Sequence, residues 1–202
     1  MTKSFIYLAS QSPRRRELLD QIGVPYRVLV SSVTEAHRAG ERPDRYVERI
    51  AADKADEVWA RVAASEPAPV LAADTAVVVD DEVFGKPANE AEALAMLERL
   101  SGRSHTVLTA VSLRWQSNRD GLVASSEVRF RATTTAERMA YCQSEEPFDK
   151  AGAYAIQGLG ALFVEHLSGS YSAVMGLPLF ETAGLLSRFD MPPWLAGRTI
   201  AS

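Results

Sequence analysis

The chain has 202 residues, of which 47% are hydrophobic and 24% charged, and its formal net charge at pH 7 is −4. These proportions are typical of a folded globular protein and exclude wholesale disorder, collagen-like repeats and a disulfide scaffold. The negative charge disfavours a nucleic-acid polymer as partner, although a local basic pocket could bind a small anion. One cysteine and three scattered histidines exclude a Cys/His metal cluster, so any metal would need oxygen ligands.

Membrane and export signals are missing from the sequence. The apolar runs are far shorter than the roughly 20 residues that a membrane-spanning helix needs. Residues 1–8 show no hydrophobic region followed by a cleavage site. We therefore expect a cytoplasmic protein with no membrane partner. The single cysteine, Cys142, is interpreted as a packing residue of a helix.

Predicted strands and helices alternate in the first part of the chain. In order they are a strand at 5–8, a helix at 14–21, a strand at 26–30, a loop at 31–41, a helix at 43–62 and a strand at 70–79. Gly23 is a stop signal for the first helix, and Pro43 opens the second. The run at 70–79 is almost continuously apolar, which is typical of a strand covered on both faces.

The second part of the chain predicts a hairpin between helices. Its elements are a helix at 89–100, strands at 105–115 and 122–132 with a turn at 118–121, a helix after Thr134, a glycine-rich β-like segment at 152–176 and a helix at 178–188. Asn89 with Glu92 and Thr134 with Glu137 are the helix-capping signals. Alternating elements followed by a hairpin predict a mixed sheet.

The segment from Ser10 to Arg15 combines hydroxyl groups, a predicted helix start and two arginines. Free backbone N–H groups at a helix start, together with arginines, suit a phosphate chain. The alternative is a helix capped by Ser12 and Pro13 with a solvated basic face. The segment matches neither a Walker A loop nor a dinucleotide-binding fingerprint.

Two charged residues occupy predicted apolar positions. Asp74 interrupts the apolar strand, where a carboxylate is costly unless it is paired or binds a cation. The alternative is a strand that stops at Ala73 and exposes Asp74 in a turn. Lys54 lies in the middle of the apolar stripe of its helix, so it must reach an anion or extend along the core edge to water.

Other candidates carry weaker signals. Glu35 lies in a predicted loop, and Lys86 precedes a proline at a strand-to-helix turn. In the segment 149–158, glycines surround single polar side chains, as where backbone approaches a ligand. Gln157 could offer a donor and an acceptor to a base edge. The histidines do not cluster with serine or aspartate, and no nucleophile elbow supports a Ser/His/Asp hydrolase.

Taken together, several ordered motifs resemble the Maf family of nucleoside triphosphate pyrophosphatases, over a match from Leu8 to about Phe189. The motifs are Leu8-Ala-Ser-Gln-Ser-Pro-Arg-Arg15, Ala73-Asp-Thr75, Gly85-Lys-Pro87, Gly102-Arg-Ser-His105, Asp149-Lys-Ala-Gly-Ala-Tyr154, and Gly169-Ser-Tyr171 through Gly176-Leu-Pro178. Several motifs at family spacing are far more specific than any one of them.

The resemblance implies a fold, a reaction and partners. The implied fold is a single mixed α/β domain over residues 1–190, with an elongated central sheet flanked by helices and two lobes around a nucleotide cleft. The composition of residues 191–202, with Pro192, Pro193 and Gly197, separately predicts a flexible tail. The implied reaction cleaves a nucleoside triphosphate to its monophosphate and pyrophosphate with a divalent cation, Mg²⁺ or Mn²⁺. A homodimer, a housekeeping role in removing modified nucleotides and a link to arrest of cell division also follow from the family.

The resemblance also assigns roles to residues. Asp74 corresponds to the catalytic acidic residue that accepts a proton from water, and Glu35 and Asp74 would hold the metal. The phosphates would be bound by Ser10, Arg14, Arg15, Lys54 and Lys86. Arg14, Thr75 and Gln157 correspond to base-specificity positions of the branch that acts on dTTP and UTP. Ala155 and Gln11 depart from the pattern of many relatives and bear on base preference.

Two other functions compete with this one. The first is a pyrophosphatase for 7-methyl-GTP or another modified purine nucleotide, such as inosine triphosphate. The second is a nucleotide-binding regulator of division without turnover. The presence of Glu35, Lys54 and Asp74 together weighs against binding alone.

Overall fold

The computed structural model describes residues 5–191 and has a mixed α/β fold. The strands are β1 Ile6–Leu8, β2 Tyr26–Val28, β3 Val70–Val79, β4 Glu82–Phe84, β5 Ser104–Trp115, β6 Asn118–Phe130 and β7 Val164–Ser168. The helices are α1 Pro13–Gln21, α2 Pro43–Val62, α3 Glu90–Leu100, α4 Thr135–Cys142, α5 Tyr171–Met175 and α6 Leu179–Arg188. Among residues 5–191, no helix is both long and apolar enough to span a membrane.

One seven-stranded sheet has the order β2-β1-β3-β5-β6-β7, with β4 paired to β3. β1 is parallel to both β2 and β3, whereas β3 pairs with β4 and β6 pairs with β7 in antiparallel fashion. Helices follow the parallel strands because a parallel pair needs a crossover connection. The predicted mixed α/β fold with helices flanking a central sheet is therefore confirmed.

The chain divides into two compact units. Of the described residues, 5–74, 109–124 and 176–191 form the first unit, and 75–108 and 125–175 form the second. Three strands pass from one unit to the other, and in β3 the division falls between Asp74 and Thr75. The predicted domain extent of 1–190 stays a prediction. Of the predicted tail, residues 192–202 lie outside the described part of the chain.

The core of the first unit forms where α2 covers the parallel strands. The buried face of α2 repeats with helical spacing and consists of Val47, Ile50, Ala51, Lys54, Ala55, Val58 and Val62. Every member except Lys54 is apolar. The helix runs from Pro43 to Val62, as the sequence predicts.

The core of the second unit is richer in aromatic side chains. Phe130 is almost fully buried and packs edge-on against His105 and Tyr154, at ring-centroid distances of 5.1 and 4.8 Å. Cys142 is buried in the same core, which confirms its interpretation as a helix packing residue.

Helix starts follow the predicted caps, with one exception. The Asn89 side chain accepts a hydrogen bond from the Glu92 amide, and Thr134 forms a complete capping box with Glu137. Ser12 takes the cap position of α1, but its side chain makes no capping hydrogen bond. The serine that organises this turn is Ser10, as described below.

The predicted hairpin turn at 118–121 is wrong. The strands β5 and β6 are joined by residues 116–117, where Gln116 adopts a left-handed φ of 54°. Gly121 lies inside β6, at a position where a Cβ would be 2.6 Å from the Val111 carbonyl oxygen. Its glycine therefore reflects a close strand contact, which the sequence pattern does not distinguish from a turn.

The predicted β-like segment at 152–176 is also largely wrong. Only β7 is a strand there, and the remainder contains 3₁₀ turns at Ala151–Ala153 and Leu159–Phe163 and the short helix α5. Gly152 has a φ of 70°, which is left-handed and interrupts any extended conformation. The glycines mark turns that fold the segment back on itself.

Candidate active site

Asp74 occupies the middle of β3 and is only 5% exposed. The alternative in which the strand ends at Ala73 and exposes Asp74 is therefore wrong. The buried carboxylate is paired, because the Lys54 Nζ atom donates a hydrogen bond to Asp74 Oδ1 at 2.8 Å. Strand and helix thus place opposite charges together in the first unit.

Lys54 also contacts a second carboxylate. Its Nζ atom lies 2.5 Å from Glu35 Oε1, and the residue is 7% exposed. Extension of Lys54 to water is therefore wrong, and the expected reach to an anion is confirmed. We call Glu35, Lys54 and Asp74 the Lys54 cluster. One ammonium group holds two carboxylates that are distant in sequence.

The loop that carries Glu35, residues 31–41, is fastened to α2. The Arg49 guanidinium donates to both carboxylate oxygens of Glu41 at 2.6 Å, and to the Ala36 carbonyl oxygen at 3.0 Å. The Tyr46 hydroxyl donates to the Glu35 carbonyl oxygen at 3.3 Å. Sequence reasoning did not identify Glu41 as a partner of Arg49, because Glu41 lies in a loop whose residues show no helical or strand periodicity. We call residues 31–41 the Glu35 loop.

The turn before α1 is organised by Ser10. The Ser10 hydroxyl oxygen accepts hydrogen bonds from the Ser12 amide and from Arg15 Nη1, both at 3.1 Å. Arg15 Nε donates to the Gly176 carbonyl oxygen at 2.8 Å. Arg14 and Arg15 are both partly buried, and their charges affect each other. A cationic turn therefore belongs to the same unit as the Lys54 cluster.

Burial and charge act in opposite directions at this site. Burial raises the pKa of the Asp74 carboxyl, while the charges of Lys54 and Arg15 oppose that rise. Burial, with the charges of Asp74 and Glu35, raises the pKa of Tyr46 to about 12, so its hydroxyl remains protonated. A carboxylate with a raised pKa accepts a proton more readily than an ordinary carboxylate.

The donor set fits a divalent cation only in part. Glu35 and Asp74 offer the carboxylate oxygens that Mg²⁺ and Mn²⁺ prefer, and the shared contact with Lys54 brings them close together. Across residues 5–191, however, no group of three or more His, Cys, Asp or Glu side chains could hold a metal. Two carboxylates suit a Mg²⁺ ion whose remaining ligands are water and substrate phosphates.

The remaining predicted site residues belong to the second unit. Thr75 follows Asp74 in β3 and is half-buried, Lys86 is exposed after β4, and Gln157 is exposed in a turn. The backbone joins two of these segments, because the Gly152 amide donates to the Gly85 carbonyl oxygen at 3.0 Å. The segment that carries Lys86 is therefore joined to Gly152, which precedes the turn that carries Gln157 in the same unit.

A glutamate that sequence reasoning did not select anchors the turn that carries Gln157. Glu146 accepts hydrogen bonds from the amides of Leu159 and Gly160 and from the Tyr141 hydroxyl. We call residues 155–160 the Gln157 turn. The only signal in the sequence is its glycines, Gly158 and Gly160, which indicate close packing without identifying the partner.

Comparison with known proteins assigns the family. The model of the Maf family, described as Maf-like protein, matches residues 5–189. A dTTP/UTP pyrophosphatase of Saccharophagus degradans is 50% identical over 94% of this chain and 90% of its own. The enzyme of the same name from Pseudoalteromonas atlantica is 49% identical over 92% of this chain and 97% of its own. The one from Burkholderia thailandensis is 51% identical over 90% of this chain and 91% of its own.

Among solved structures, the Staphylococcus aureus Ham1 protein has a TM-score of 0.46 and 16% identity, covering 62% of this chain and 71% of that chain. The family match spans nearly all the described residues. The three pyrophosphatases align with at least nine-tenths of this chain and of their own. The motif resemblance noted above is thereby confirmed, and the chain belongs to the Maf family.

Proposed function

We propose that this protein hydrolyses dTTP and UTP to their monophosphates and pyrophosphate. The observation that carries the proposal is the Lys54 cluster, in which a buried aspartate is kept beside an ammonium group and a second carboxylate. The names of three relatives at about 50% identity support the substrate. In such a cluster the ammonium group is suited to attract an anionic substrate, and a carboxylate is suited to accept a proton.

The proposed phosphate-binding residues are Ser10, Arg14, Arg15, Lys54 and Lys86. In the first unit, the fixed guanidinium of Arg15 and the start of α1 are suited to phosphate oxygens. Lys54 and Lys86 would add cationic charge as the triphosphate is cleaved. Lys86 is exposed, so it can contact a ligand without breaking a buried pair.

Glu35 and Asp74 would hold a divalent cation, Mg²⁺ or Mn²⁺. When bound, the cation would neutralise phosphate charge and polarise the phosphate oxygens. Fixing the Glu35 loop through Arg49 and Tyr46 keeps one of these carboxylates near the other.

In the proposed reaction, a water oxygen attacks the α-phosphorus. The bond from the α-phosphorus to the oxygen that bridges to the β-phosphorus breaks, and pyrophosphate leaves with that oxygen. Asp74 orients the water and takes its proton, a role that its raised pKa supports. The products are a nucleoside monophosphate and pyrophosphate.

Base selection is proposed to involve Arg14, Thr75 and Gln157. The amide of Gln157 has both a donor and an acceptor, which match the N3–H and a carbonyl oxygen of uracil or thymine. Arg14 and Thr75 would contact the nucleotide beside the phosphates. We further propose that the protein is cytoplasmic and forms a homodimer; light scattering of the purified protein would test the dimer.

The test is pyrophosphate release with Mg²⁺ from dTTP, UTP, CTP, GTP, 7-methyl-GTP and ITP. We expect turnover of dTTP and UTP, and a loss of about 10²- to 10⁴-fold in Asp74→Asn, the range for removal of a general base. Asp81→Asn is the matched control, because Asp81 is exposed and has a left-handed φ of 62° that asparagine tolerates.

Each of the other outcomes favours a different function for this protein or excludes one of the proposed roles. Preference for a purine nucleotide would contradict the proposed role of Gln157 and favour a modified-purine pyrophosphatase. Binding of nucleotides without any turnover would favour the regulator. Full activity of a folded Asp74→Asn variant would exclude Asp74 as the base.

A further inference from the structure

The carboxylate of Glu146 accepts three hydrogen bonds in the second unit. Its Oε1 atom accepts from the Tyr141 hydroxyl at 2.7 Å and from the Gly160 amide at 3.0 Å, and its Oε2 atom accepts from the Leu159 amide at 3.0 Å. Both oxygens therefore bind a backbone N–H group of the Gln157 turn. Such charge-assisted bonds are stronger than bonds between neutral groups.

Tyr141 extends the same network to the other end of the turn. Its hydroxyl oxygen accepts a hydrogen bond from the Ala155 amide at 3.1 Å while the hydroxyl donates to Glu146. The ring is buried and packs edge-on against Phe163 at 5.1 Å. The two ends of the Gln157 turn, Ala155 and Gly160, are thus connected through one phenol and one carboxylate.

Packing leaves the turn little freedom. A Cβ on Gly158 would lie 2.1 Å from Glu146 Oε2, and a Cβ on Gly160 would lie 2.7 Å from the Ala155 carbonyl oxygen. Ile156, immediately before Gln157, is buried, whereas Gln157 itself is exposed. The backbone is therefore held on both sides of Gln157, whose side chain is exposed.

We propose that Glu146 and Tyr141 are positioning residues for base selection. The inference rests on the proposed function, in which Gln157 contacts the base. Uracil offers an N3–H donor and an O4 acceptor, whereas cytosine offers an N3 acceptor and an N4 donor. An amide carried by a fixed backbone is limited in how it can meet the base and so distinguishes these patterns, because the wrong base leaves polar groups unpaired. A turn that moves can adapt to both bases.

The experiment compares kcat/KM for UTP and CTP in the full-length wild type and in Tyr141→Phe, Glu146→Gln and Gln157→Ala. Tyr141→Phe keeps the ring and removes the hydroxyl that joins Ala155 to Glu146. In Glu146→Gln, either amide orientation places an NH₂ group against a backbone N–H group, since both oxygens accept from one. We expect each variant to lower the ratio of UTP to CTP activity by about tenfold or more.

Tyr26→Phe is the matched control. The Tyr26 hydroxyl also donates to a carboxylate, Asp20, at 3.2 Å, but that pair is exposed on the first unit. Its ratio of UTP to CTP activity should equal that of the wild type. A merely structural role of Tyr141 or Glu146 would lower both activities together and leave the ratio unchanged, and that result would overturn the proposal.

The outcomes separate this proposal from the proposed function. Wild-type protein that hydrolyses neither UTP nor dTTP contradicts the function, whatever the variants do. Wild-type activity with a lowered ratio in Gln157→Ala but an unchanged ratio in Tyr141→Phe and Glu146→Gln contradicts only the positioning role. An unchanged ratio in Gln157→Ala contradicts the proposed contact of Gln157 with the base and, with it, the positioning role. Should the variants not fold, hydrogen exchange of the 155, 159 and 160 amides in the nucleotide-free wild type decides. Strong protection supports the fixed turn, and exchange as fast as in exposed loops overturns it.

Discussion

The Glu35 loop and the Gln157 turn are both held by carboxylates, but the carboxylates have different partners. In the Glu35 loop, Glu41 pairs with the guanidinium of Arg49, and Glu35 itself contacts the ammonium of Lys54. In the Gln157 turn, the Glu146 carboxylate accepts its three hydrogen bonds from two backbone amides and one phenol. One segment is held by charge pairs, the other by neutral donors.

The difference indicates how each segment can respond to a ligand. Charge pairs can exchange partners with phosphates and cations, so a loop held by them can rearrange around a charged substrate. Bonds to backbone amides have a fixed direction and disappear if the turn changes shape. Chemistry at the phosphates suits the first arrangement, and discrimination between bases suits the second.

The largest effect should come from removing the charge of Lys54. Lys54→Met leaves Asp74 buried without its partner, and breaking a buried pair in this way costs about 3–5 kcal/mol. Urea denaturation of the variant measures this loss. The double variant Lys54→Met/Asp74→Asn should recover part of it, because no lone charge remains. A single-variant cost below about 1 kcal/mol would show that charge does not hold this region.

Acid should act on the core beside the Gln157 turn before it acts on the Glu35 loop, because that core contains His105, which hydrogen-bonds Tyr154. Burial, with the nearby charge of Arg103, lowers the pKa of His105 to about 4, from 6.5 in an unfolded chain. The unfolded chain therefore binds a proton between pH 6.5 and 4 that the folded protein does not. Stability should fall over this window by roughly 3 kcal/mol as pH decreases.

Denaturation as a function of pH measures this contribution. His105→Gln removes the titrating ring, so its stability should depend less on pH between 6.5 and 4. His37→Gln replaces an exposed histidine and should retain the wild-type slope. Equal slopes in the wild type and His105→Gln would exclude His105 as the source of acid sensitivity.

The shape of the Gln157 turn should be sensitive to one added methyl group. Gly158→Ala places a Cβ 2.1 Å from Glu146 Oε2, and such overpacking typically costs 1–3 kcal/mol. Gly184→Ala is the matched control, since nothing lies within 4 Å of a Cβ there. In the interior of α6, this control should be stabilising by up to about 1 kcal/mol. Thermal unfolding that ranks the two variants in the opposite order would contradict the described packing.

The smallest effect is expected at Glu41. Glu41→Gln weakens the pair with Arg49, but Tyr46 and Lys54 still hold the Glu35 loop. We expect apparent Mg²⁺ affinity during UTP hydrolysis to fall by about tenfold at most, the low end for groups that orient a ligand. Glu48→Gln, which alters the exposed pair with Arg45, should have no effect. An equal effect of both changes would exclude a specific role for Glu41.

The pH dependence of that pair gives a further distinction. Hydrogen bonds from Arg49 lower the pKa of Glu41 to about 2, from an ordinary value of 4.5. The contribution of the pair is therefore complete above pH 4.5 and is lost as pH falls through 2. The window of His105 begins at a higher pH than this range, so acid should affect His105 before it affects the pair of Glu41 with Arg49.

Local sequence rules predict many of the helix boundaries and the buried charges. Pro43 starts its helix because its fixed φ suits the first helical turn. Asn89 caps the next helix because its side-chain oxygen accepts a hydrogen bond from a free backbone N–H group. Lys54 and Asp74 could be selected because a charge at an apolar position needs a partner. These inferences depend only on neighbours within a turn or strand.

The partners themselves depend on the fold. Glu146 and Gly160 are 14 residues apart, and no periodicity connects them. Gly121 resembles a turn residue in sequence, but its position is explained by the Val111 carbonyl of the neighbouring strand. Glycine patterns identify where space is short, and only the structure identifies what fills it.

The position of Asp74 inside β3 restricts how the gene for this chain can change length. Side chains along a strand alternate between faces, so one inserted or deleted codon upstream in β3 would turn Asp74 to the opposite face. Either change would separate the buried carboxylate from Lys54, with Thr75 taking its place after a deletion and Ala73 after an insertion. Length variation among relatives should therefore accumulate in connections such as 116–117, whereas β3 changes only by substitution.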